Sequence, residues 1–198
     1  METLQEIAKL KELYEKTLEI KKSKLKKQII LCPVGHIASG KTTVIKPTAS
    51  KLGLIRLSTD ELRVLARDNN LGEHTHVVVG ELFREYLKKG FSIACDFDCS
   101  SLGRRDLIEA EAVLYNTDIV FIKINPPHSW IIHKIKNMKY FKSGLFKNVA
   151  VGLSEIKRSF KERKLPDLKY AWVFDTSSTK LDEEIGDFCG YLEGMYSK

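Results

Sequence analysis

The sequence has no apolar run that approaches the roughly 20 residues needed to span a bilayer. Its first sixteen residues, METLQEIAKLKELYEK, carry charges every few positions and lack the apolar core of a secretory signal. These two absences predict a cytoplasmic protein without a membrane partner. The sequence also lacks low-complexity tracts and internal repeats. Its 198 residues, 43% of them hydrophobic, predict one globular domain.

Cysteines are few and scattered, since only four occur in the chain. Cys32 and Cys95 lie in apolar, strand-like runs, in which a free cysteine behaves as a small hydrophobe. Cys95 and Cys99 raise a metal-binding alternative, but neither a CxxC pair nor a nearby group of histidines supports it. We therefore interpret the cysteines as packing residues.

Negative charge is scarce between residues 123 and 169. This segment has twelve Lys or Arg against Glu155, Glu162 and Asp167, a balance of +9, and the whole chain has a net charge of +7. Such a segment predicts a basic surface that faces an anionic partner. A nucleic acid and a solvated, lysine-rich helix face remain open as explanations.

After residue 28, short apolar runs alternate with patterns of helical period. The runs predict strands at 29–34, 54–58, 91–96, 118–124 and 170–174, and the patterns predict helices at 41–52, 60–68, 75–89, 101–116, 127–137, 149–163 and 180–196. Strands separated by helices favour an α/β fold with a parallel sheet of about five strands and helices on both faces. Continuous apolarity within the strands indicates burial on both sides.

Residues 1–27 are predicted to form a helical extension to a domain that spans 28–198. Leucines and an isoleucine recur there at helical spacing, and the segment ends in KKSKLKK, with five lysines in seven residues. Three interpretations are open: an arm that binds nucleic acid, a dimer helix, or an amphipathic helix packed on the edge of the domain. The oligomeric state cannot be read from this pattern.

The stretch GHIASGKTT fills the pattern G-x-x-x-x-G-K-[ST] between a buried strand and a helix. Its glycines let successive backbone N–H groups point at phosphate oxygens, and the next helix directs its positive end at the same anion. The pattern predicts a bound nucleoside triphosphate, with Lys41 on the β- and γ-phosphates and Thr42 on Mg²⁺. The binding residues are Gly35, His36, Ile37, Ala38, Ser39, Gly40, Lys41, Thr42 and Thr43.

Pro47 falls about six residues into the helix after this loop. A proline there removes a hydrogen-bond donor and crowds the preceding turn. We expect a kink or an early end of the helix near Lys46.

The second strand leads into STDELR. This places Asp60 at the same edge of the sheet as the stretch GHIASGKTT, residues 35–43, here called the phosphate loop. A kinase acting on an alcohol needs a carboxylate there to accept the proton of the hydroxyl group. Arg63 follows one helical turn later and is suited to a second phosphate. The alternative is that Asp60 caps the helix and Arg63 is solvated.

Asp96 ends the third strand, as the carboxylate near Mg²⁺ does in P-loop enzymes. Arg104 and Arg105 follow at the start of a helix, where they are either functional or paired with Asp106 and Glu109 on a solvated face.

The order of these motifs resembles the polynucleotide 5′-hydroxyl kinases and the wider group of P-loop kinases that includes zeta toxins. The resemblance covers roughly residues 29–176 and implies a three-layer P-loop NTPase fold with a helical lid. It implies transfer of phosphate from ATP, with Mg²⁺, to a 5′-hydroxyl end of RNA or DNA. Asp60 would be the general base, Arg63 would contact the acceptor's phosphate, and Asp96 would assist at the metal or the acceptor.

The predicted basic lid, roughly 127–163, departs from this family because arginines are absent before Arg158. Lys134, Lys136 or Lys139 would have to replace them as point charges, without the bidentate fork of arginine. Trp130 and Tyr140 either stack on bases or pack the lid onto the body. His133 is interpreted as a surface residue. In related kinases the turn at residues 175–178 lies near the adenine, although a helix cap explains its side chains as well.

Two alternatives accompany the polynucleotide kinase hypothesis. The departures in the lid favour a kinase for a small molecule, such as a nucleoside, a nucleotide or a sugar nucleotide. The third hypothesis is a nucleotide-binding module without efficient transfer.

Overall fold

The computed structural model describes residues 2–138, 146 and 148–196. In this part of the chain the elements are α1 (Glu2–Glu15), β1 (Ile29–Val34), α2 (Lys41–Leu52), β2 (Ile55–Ser58), α3 (Thr59–Asp68), α4 (Thr75–Lys88), β3 (Ile93–Asp96), α5 (Leu102–Leu114), β4 (Asp118–Ile124), α6 (His128–Lys136), α7 (Val149–Glu162), β5 (Trp172–Phe174) and α8 (Leu181–Met195). None of the helices described is long and apolar enough to cross a membrane.

The five strands form one parallel sheet in the order β2-β3-β1-β4-β5. The register places Ser58 opposite Asp96, so β2 and β3 end side by side. The carboxyl ends of parallel strands share one edge, where the connecting loops meet. The prediction of a five-stranded parallel sheet is confirmed.

Two hydrophobic cores cover the two faces of the sheet, which gives the molecule three layers. Neighbouring residues of β1 enter opposite cores: Ile30 packs towards α1, α3 and α4, and Leu31 packs towards α2 and α8. Both side chains are fully buried. Burial on both sides explains the unbroken apolar pattern of the strand.

Helix α2 runs through Pro47 to Leu52, so it does not end early near Lys46, and the kink expected as the alternative stays a prediction. The helix buries Val44, Ile45 and Leu52 against the sheet and α8. Since most helical stability in proteins comes from packing of the apolar face, the helix tolerates one lost hydrogen bond.

The N-terminal helix is shorter than predicted, because α1 ends at Glu15 and the chain from residue 16 to 28 is irregular. Thr17 closes the helix with its backbone N–H and its hydroxyl group, which both donate to the carbonyl of Tyr14. Five lysines in the next ten residues repel one another at helical spacing, and this disfavours continuation. The backbone of Lys24 and Lys26 bonds instead to Leu52 and Tyr196.

Helix α1 packs on α3 and α4, as the packing interpretation of the segment predicts. Leu10 and Tyr14 are buried there, and Lys11 forms an ion pair of 2.9 Å with Glu85. Three lysines of the KKSKLKK cluster also pair with acidic groups: Lys21 with Glu19, Lys24 with Glu193 and Lys27 with Asp118.

Helices α6 and α7 form a separate helical unit beside the phosphate loop, at the position of the predicted basic lid. Its small core consists of Ile131, Ile135, Phe146 and Ile156. Ile37 and Ala38 of the loop pack against this core. The tip of the loop is therefore covered by the helical unit. Two of the predicted lid residues, Lys139 and Tyr140, lie outside the described residues.

Candidate functional site

A cavity of about 1030 Å³ opens at the carboxyl ends of β1, β2 and β3. It is lined by the side chains that the sequence singles out: Lys41, Thr42, Asp60, Arg63 and Asp96. The sheet topology explains this convergence, because the segments that follow neighbouring parallel strands meet at one edge.

The phosphate loop has a backbone that only a few residue types can adopt. Gly40 has φ 97° and Ala38 has φ 60°, both in the left-handed region. A Cβ atom on Gly35 would lie 2.7 Å from the carbonyl oxygen of Ile124, so only glycine fits. Thr176 donates its hydroxyl to the carbonyl of Ser39 at 2.6 Å and fixes the last turn of the loop.

The loop retains polar groups for a ligand. The hydroxyl oxygen of Ser39 is buried and has no hydrogen-bond partner among the described residues. The first turn of α2 follows, where backbone N–H groups lack partners within the helix and attract anions. This arrangement fits a bound phosphate.

Lys41 folds over the loop and donates to the carbonyl oxygens of Gly35 and His36, each at 2.9 Å. Burial and the positive charge of Arg163 together lower the pKa of Lys41 to about 8, against the opposing effect of Cys99, Asp96 and Asp60. A bound anion at this position would stabilise the charged ammonium form and raise the pKa of Lys41 back towards its usual value.

Thr42 and Asp96 meet in the cavity, since the hydroxyl of Thr42 donates to Oδ1 of Asp96 at 2.8 Å. Burial raises the pKa of Asp96, although its bonds from Thr42 and Arg56 act in the opposite direction. A hydroxyl oxygen and a carboxylate oxygen are hard ligands of the type Mg²⁺ prefers. The pair therefore fits the predicted magnesium position.

Arg56, on β2, is a site residue that the sequence analysis missed. Its guanidinium group donates to Oδ2 of Asp96 at 2.5 Å and also to Glu61. This bridge leaves Asp96 with one oxygen for a metal ion and holds its carboxylate in place. Sequence spacing gives no signal for it, because Arg56 and Asp96 are forty residues apart and meet only through the pairing of β2 with β3.

Asp60 lies in the first turn of α3, but it is not the helix cap. The cap is Ser58, whose hydroxyl accepts from the N–H of Glu61 at 3.4 Å. Oδ1 of Asp60 instead accepts from Arg63 at 2.7 Å, and about a third of each side chain is exposed to the cavity side. The pair thus forms the wall that faces an incoming molecule.

Tyr14 supports this wall from α1. Its buried hydroxyl accepts from the backbone N–H of Ser58 at 2.6 Å, two residues before Asp60. Burial raises the pKa of Tyr14, so its hydroxyl stays protonated at neutral pH. The N-terminal helix therefore contacts the site, a role that the sequence does not signal.

Arg104 and Arg163 bring two more guanidinium groups to the cavity region. Arg104 lines the cavity, donates to the carbonyl of Asp98 at 2.7 Å and lies over the ring of Phe97. Arg163 follows α7 and binds Asp98 and Ser100. Arg163 lies at the end of the predicted lid and was not among the predicted site residues, yet its charge lowers the pKa of Lys41.

His36 joins the loop to the helical unit. Its Nδ1 lies 3.2 Å from the hydroxyl of Ser159, and its ring packs edge-on against Phe160 and His128. Burial and the neighbouring His128 lower its pKa to about 4. His36 is therefore neutral at physiological pH and serves as a packing residue of the loop tip.

The remaining lid residues are divided between the cavity and the surface. Lys134 lines the cavity, and its ammonium group lies 5.1 Å from the centre of the Trp130 ring. Trp130 packs against the core of the helical unit, in agreement with the packing alternative. Lys136 is exposed, and so is His133, which contacts Asn137.

The turn at residues 175–178 lies beside the phosphate loop through Thr176. Asp175 accepts from the backbone N–H and the hydroxyl of Ser177, and the hydroxyl of Ser178 donates to Glu184 at 3.1 Å. Hydrogen bonds of its own side chains hold the turn, and the bond from Thr176 to Ser39 keeps its backbone beside the phosphate loop.

No family model matches the chain, and no curated protein matches its sequence. Solved structures do match. A shikimate kinase from Bacteroides thetaiotaomicron is 11% identical, with a TM-score of 0.55 over 86% of this chain and 99% of that one. A gluconokinase from Sinorhizobium meliloti is 14% identical, with a TM-score of 0.54 over 86% and 94%. The Mycobacterium tuberculosis APS kinase, in complex with AMPPNP and APS, is 15% identical, with a TM-score of 0.52 over 84% and 98%.

At these identities the similarities establish the fold alone. The chain has the α/β fold of P-loop kinases, with sheet order 2-3-1-4-5. The narrower resemblance to polynucleotide 5′-hydroxyl kinases finds no support in these comparisons.

Proposed function

We propose that the protein transfers the γ-phosphate of ATP to a hydroxyl group of an anionic small molecule. The observation that carries this proposal is the shared cavity, in which the phosphate loop with Lys41 and the Asp60–Arg63 pair form different walls. A phosphate donor and an alcohol acceptor must meet in one such space.

The structural neighbours support a small acceptor. Shikimate kinase and gluconokinase are named for small molecules, and the APS kinase structure contains the small molecule APS beside an ATP analogue. A polynucleotide 5′ end, the acceptor implied by the motif order, has no comparable support. The basic segment 123–169 is partly accounted for by Lys134, which lines the cavity, and by Arg163, which acts electrostatically on Lys41.

The nucleotide side of the site consists of the loop, Lys41, Thr42 and Asp96. Backbone N–H groups of the loop and the Lys41 ammonium would bind the phosphates. When bound at Thr42 and Asp96, Mg²⁺ would neutralise negative charge on the phosphates. Arg56 keeps the Asp96 carboxylate oriented towards Thr42 through its bond to Oδ2.

The acceptor side is formed by Asp60 and the arginines. Asp60 takes the proton of the acceptor hydroxyl while the acceptor oxygen forms a bond to the γ-phosphorus. The bond from that phosphorus to the β–γ bridging oxygen breaks, and ADP leaves. Arg63 and Arg104 supply guanidinium forks for an anionic group of the acceptor.

Arg163 supports transfer from the helical unit. It supplies positive charge that acts on Lys41 from the end of α7, so the site does not depend on lysines alone. Positive charge near the transferring phosphate stabilises the transition state.

The test is a transfer assay with ATP labelled in the γ-phosphate and a panel of acceptors. The panel contains sugars, hydroxy acids, nucleosides, nucleotides and oligonucleotides with a free 5′-hydroxyl. We expect labelling of an anionic small molecule in the presence of Mg²⁺, and no labelling with a Lys41→Met variant. The Lys51→Met variant, altered on the exposed end of the same helix, is the control that keeps activity.

Labelling of oligonucleotides alone would replace the proposed acceptor by a polynucleotide. Binding of ATP with Mg²⁺ and no labelling of any acceptor would support a nucleotide-binding module instead of an enzyme.

A further inference from the structure

Three cysteines from three segments meet beneath the phosphate loop. Cys32 lies on β1, Cys95 on β3, and Cys99 in the loop that follows β3. Their sulfur atoms all lie within 4.8 Å of one another, and all three residues are fully buried. Pairing of Leu31 with Ala94 brings Cys32 beside Cys95, and a 3.0 Å bond from the N–H of Cys99 to the carbonyl of Pro33 holds the loop against β1.

We propose that these three sulfur atoms form a binding site for a soft, thiophilic metal ion of the Cu(I) class. A metal–sulfur bond of about 2.3 Å places the corners of a trigonal site about 4 Å apart. Sulfur atoms that already lie within 4.8 Å need to approach by less than about 1 Å to reach this geometry. Rotation about the side-chain bonds is sufficient for such a change.

The ligand set favours a soft ion. Among the described residues, the group contains sulfur only, without a histidine or a carboxylate as a fourth ligand. The nearby carboxylate of Asp96 is engaged by Thr42 and Arg56. Structural zinc takes four ligands, whereas thiolate ligands without hard donors select Cu(I).

The charge of the loaded site is modest. If Cu(I) displaces protons from two of the three thiols, the cluster has a net charge of −1. Arg104 acts electrostatically on Cys95 and Cys99, and Lys41 interacts with Cys99. A buried charge of this size is tolerable when a cation opposes it. The thiol of Cys99 also makes a weak contact with the carbonyl of Phe97, at 3.7 Å.

The site is separate from the proposed phosphate transfer, which uses none of the three thiols. It lies next to that machinery, however, because Cys95 precedes Asp96 and Cys32 is three residues before Gly35. A bound ion would tie together the two strands that position the loop and Asp96.

The experiment is an anaerobic titration of reduced, metal-free protein with Cu(I) in competition with a chromogenic Cu(I) chelator. We expect one ion per chain. Cys32→Ala and Cys99→Ala should each weaken binding by about 100-fold or more, since even loss of a group that supports a ligand costs 10–100-fold. Cys189→Ala is the matched control, because Cys189 is buried in the other core, on α8, and should leave binding unchanged.

X-ray absorption of the wild-type protein with one equivalent of Cu(I) decides the matter even if a variant fails to fold. Three sulfur neighbours at about 2.3 Å support the site. Nitrogen or oxygen neighbours, equal loss in Cys189→Ala, or failure to compete with the chelator would each overturn it.

Discussion

The two walls of the cavity are held in different ways. In the phosphate loop, Lys41 bonds to Gly35 and His36, and Thr42 bonds to Asp96. On the opposite wall, Asp60 and Arg63 bond to each other, and about a third of each side chain remains exposed. These bonds fix the loop in place before a ligand binds. The wall formed by Asp60 and Arg63, here called the acceptor wall, instead exposes charged groups to the cavity.

Because of this difference, we expect the two walls to recognise different parts of the reaction: the phosphate donor and the acceptor. Backbone N–H groups and a fixed loop recognise phosphate, which many nucleotides share. In the proposed function, exposed side chains on α3 contact the acceptor and so select it. Loss of a loop residue should therefore weaken nucleotide binding and slow turnover, whereas loss of a residue on the acceptor wall should slow turnover and leave nucleotide binding unchanged.

The largest effect is expected for Lys41→Met. Removal of the ammonium group should lower the rate of phosphate transfer by roughly 1000-fold, since charge stabilisation of this kind is worth that much. It should also weaken binding of a non-hydrolysable ATP analogue, measured by calorimetry. Unchanged analogue binding in this variant would contradict the role of the loop wall.

Asp60→Asn should reduce transfer by about 100-fold, the ordinary contribution of a general base. Binding of the ATP analogue should be unchanged, because Asp60 lies on the other wall. Asp68→Asn, at the exposed end of the same helix, is the matched control and should retain activity. If Asp60→Asn transfers phosphate at the wild-type rate, Asp60 is not the general base.

Binding of the ATP analogue should depend on pH through Lys41. Its pKa of about 8 in the free protein means that the ammonium loses its proton as the pH rises through 8, while a bound triphosphate favours the charged form. Affinity should therefore be constant below about pH 8 and fall up to about tenfold per pH unit above it. In Lys41→Met this slope should be absent; a slope that persists there would assign the titration to another group.

The smallest effect on activity is expected for Tyr14→Phe. The substitution leaves the N–H of Ser58 without its partner, which should reduce the free energy of unfolding by about 1–3 kcal/mol. Transfer should fall only slightly, because Asp60 shifts without being lost. Tyr86→Phe, in the same core but with a long 3.4 Å bond to Glu15, should cost less in the same denaturation experiment. Equal losses would show that Tyr14 does not support the acceptor wall.

The loop wall was predictable from the sequence because its function resides in the backbone. Glycine spacing around Lys41, and a buried strand before it, indicate the local geometry, although Thr176 also helps to fix it. The strands were predictable for a related reason, since burial on both faces leaves an unbroken apolar pattern.

The side chains that support both walls were only partly predictable, because they come from distant segments. Arg56 reaches Asp96 through strand pairing, Tyr14 reaches Ser58 from α1, and Arg163 reaches Asp98 from the end of α7. Such contacts have no local period or spacing. The early end of α1 was missed for the same reason, because the segment after Glu15 makes its backbone bonds with Leu52 and Tyr196.

The position of α1 has a consequence for synthesis on the ribosome. The helix is synthesised before its partners, because α3 and α4 occupy residues 59–68 and 75–88. A helix of 14 residues is marginal in isolation, so the nascent segment stays unstructured until those partners appear. The bond from Lys26 to Tyr196 forms later still. Helix α1 is therefore translated before the segments on which it docks.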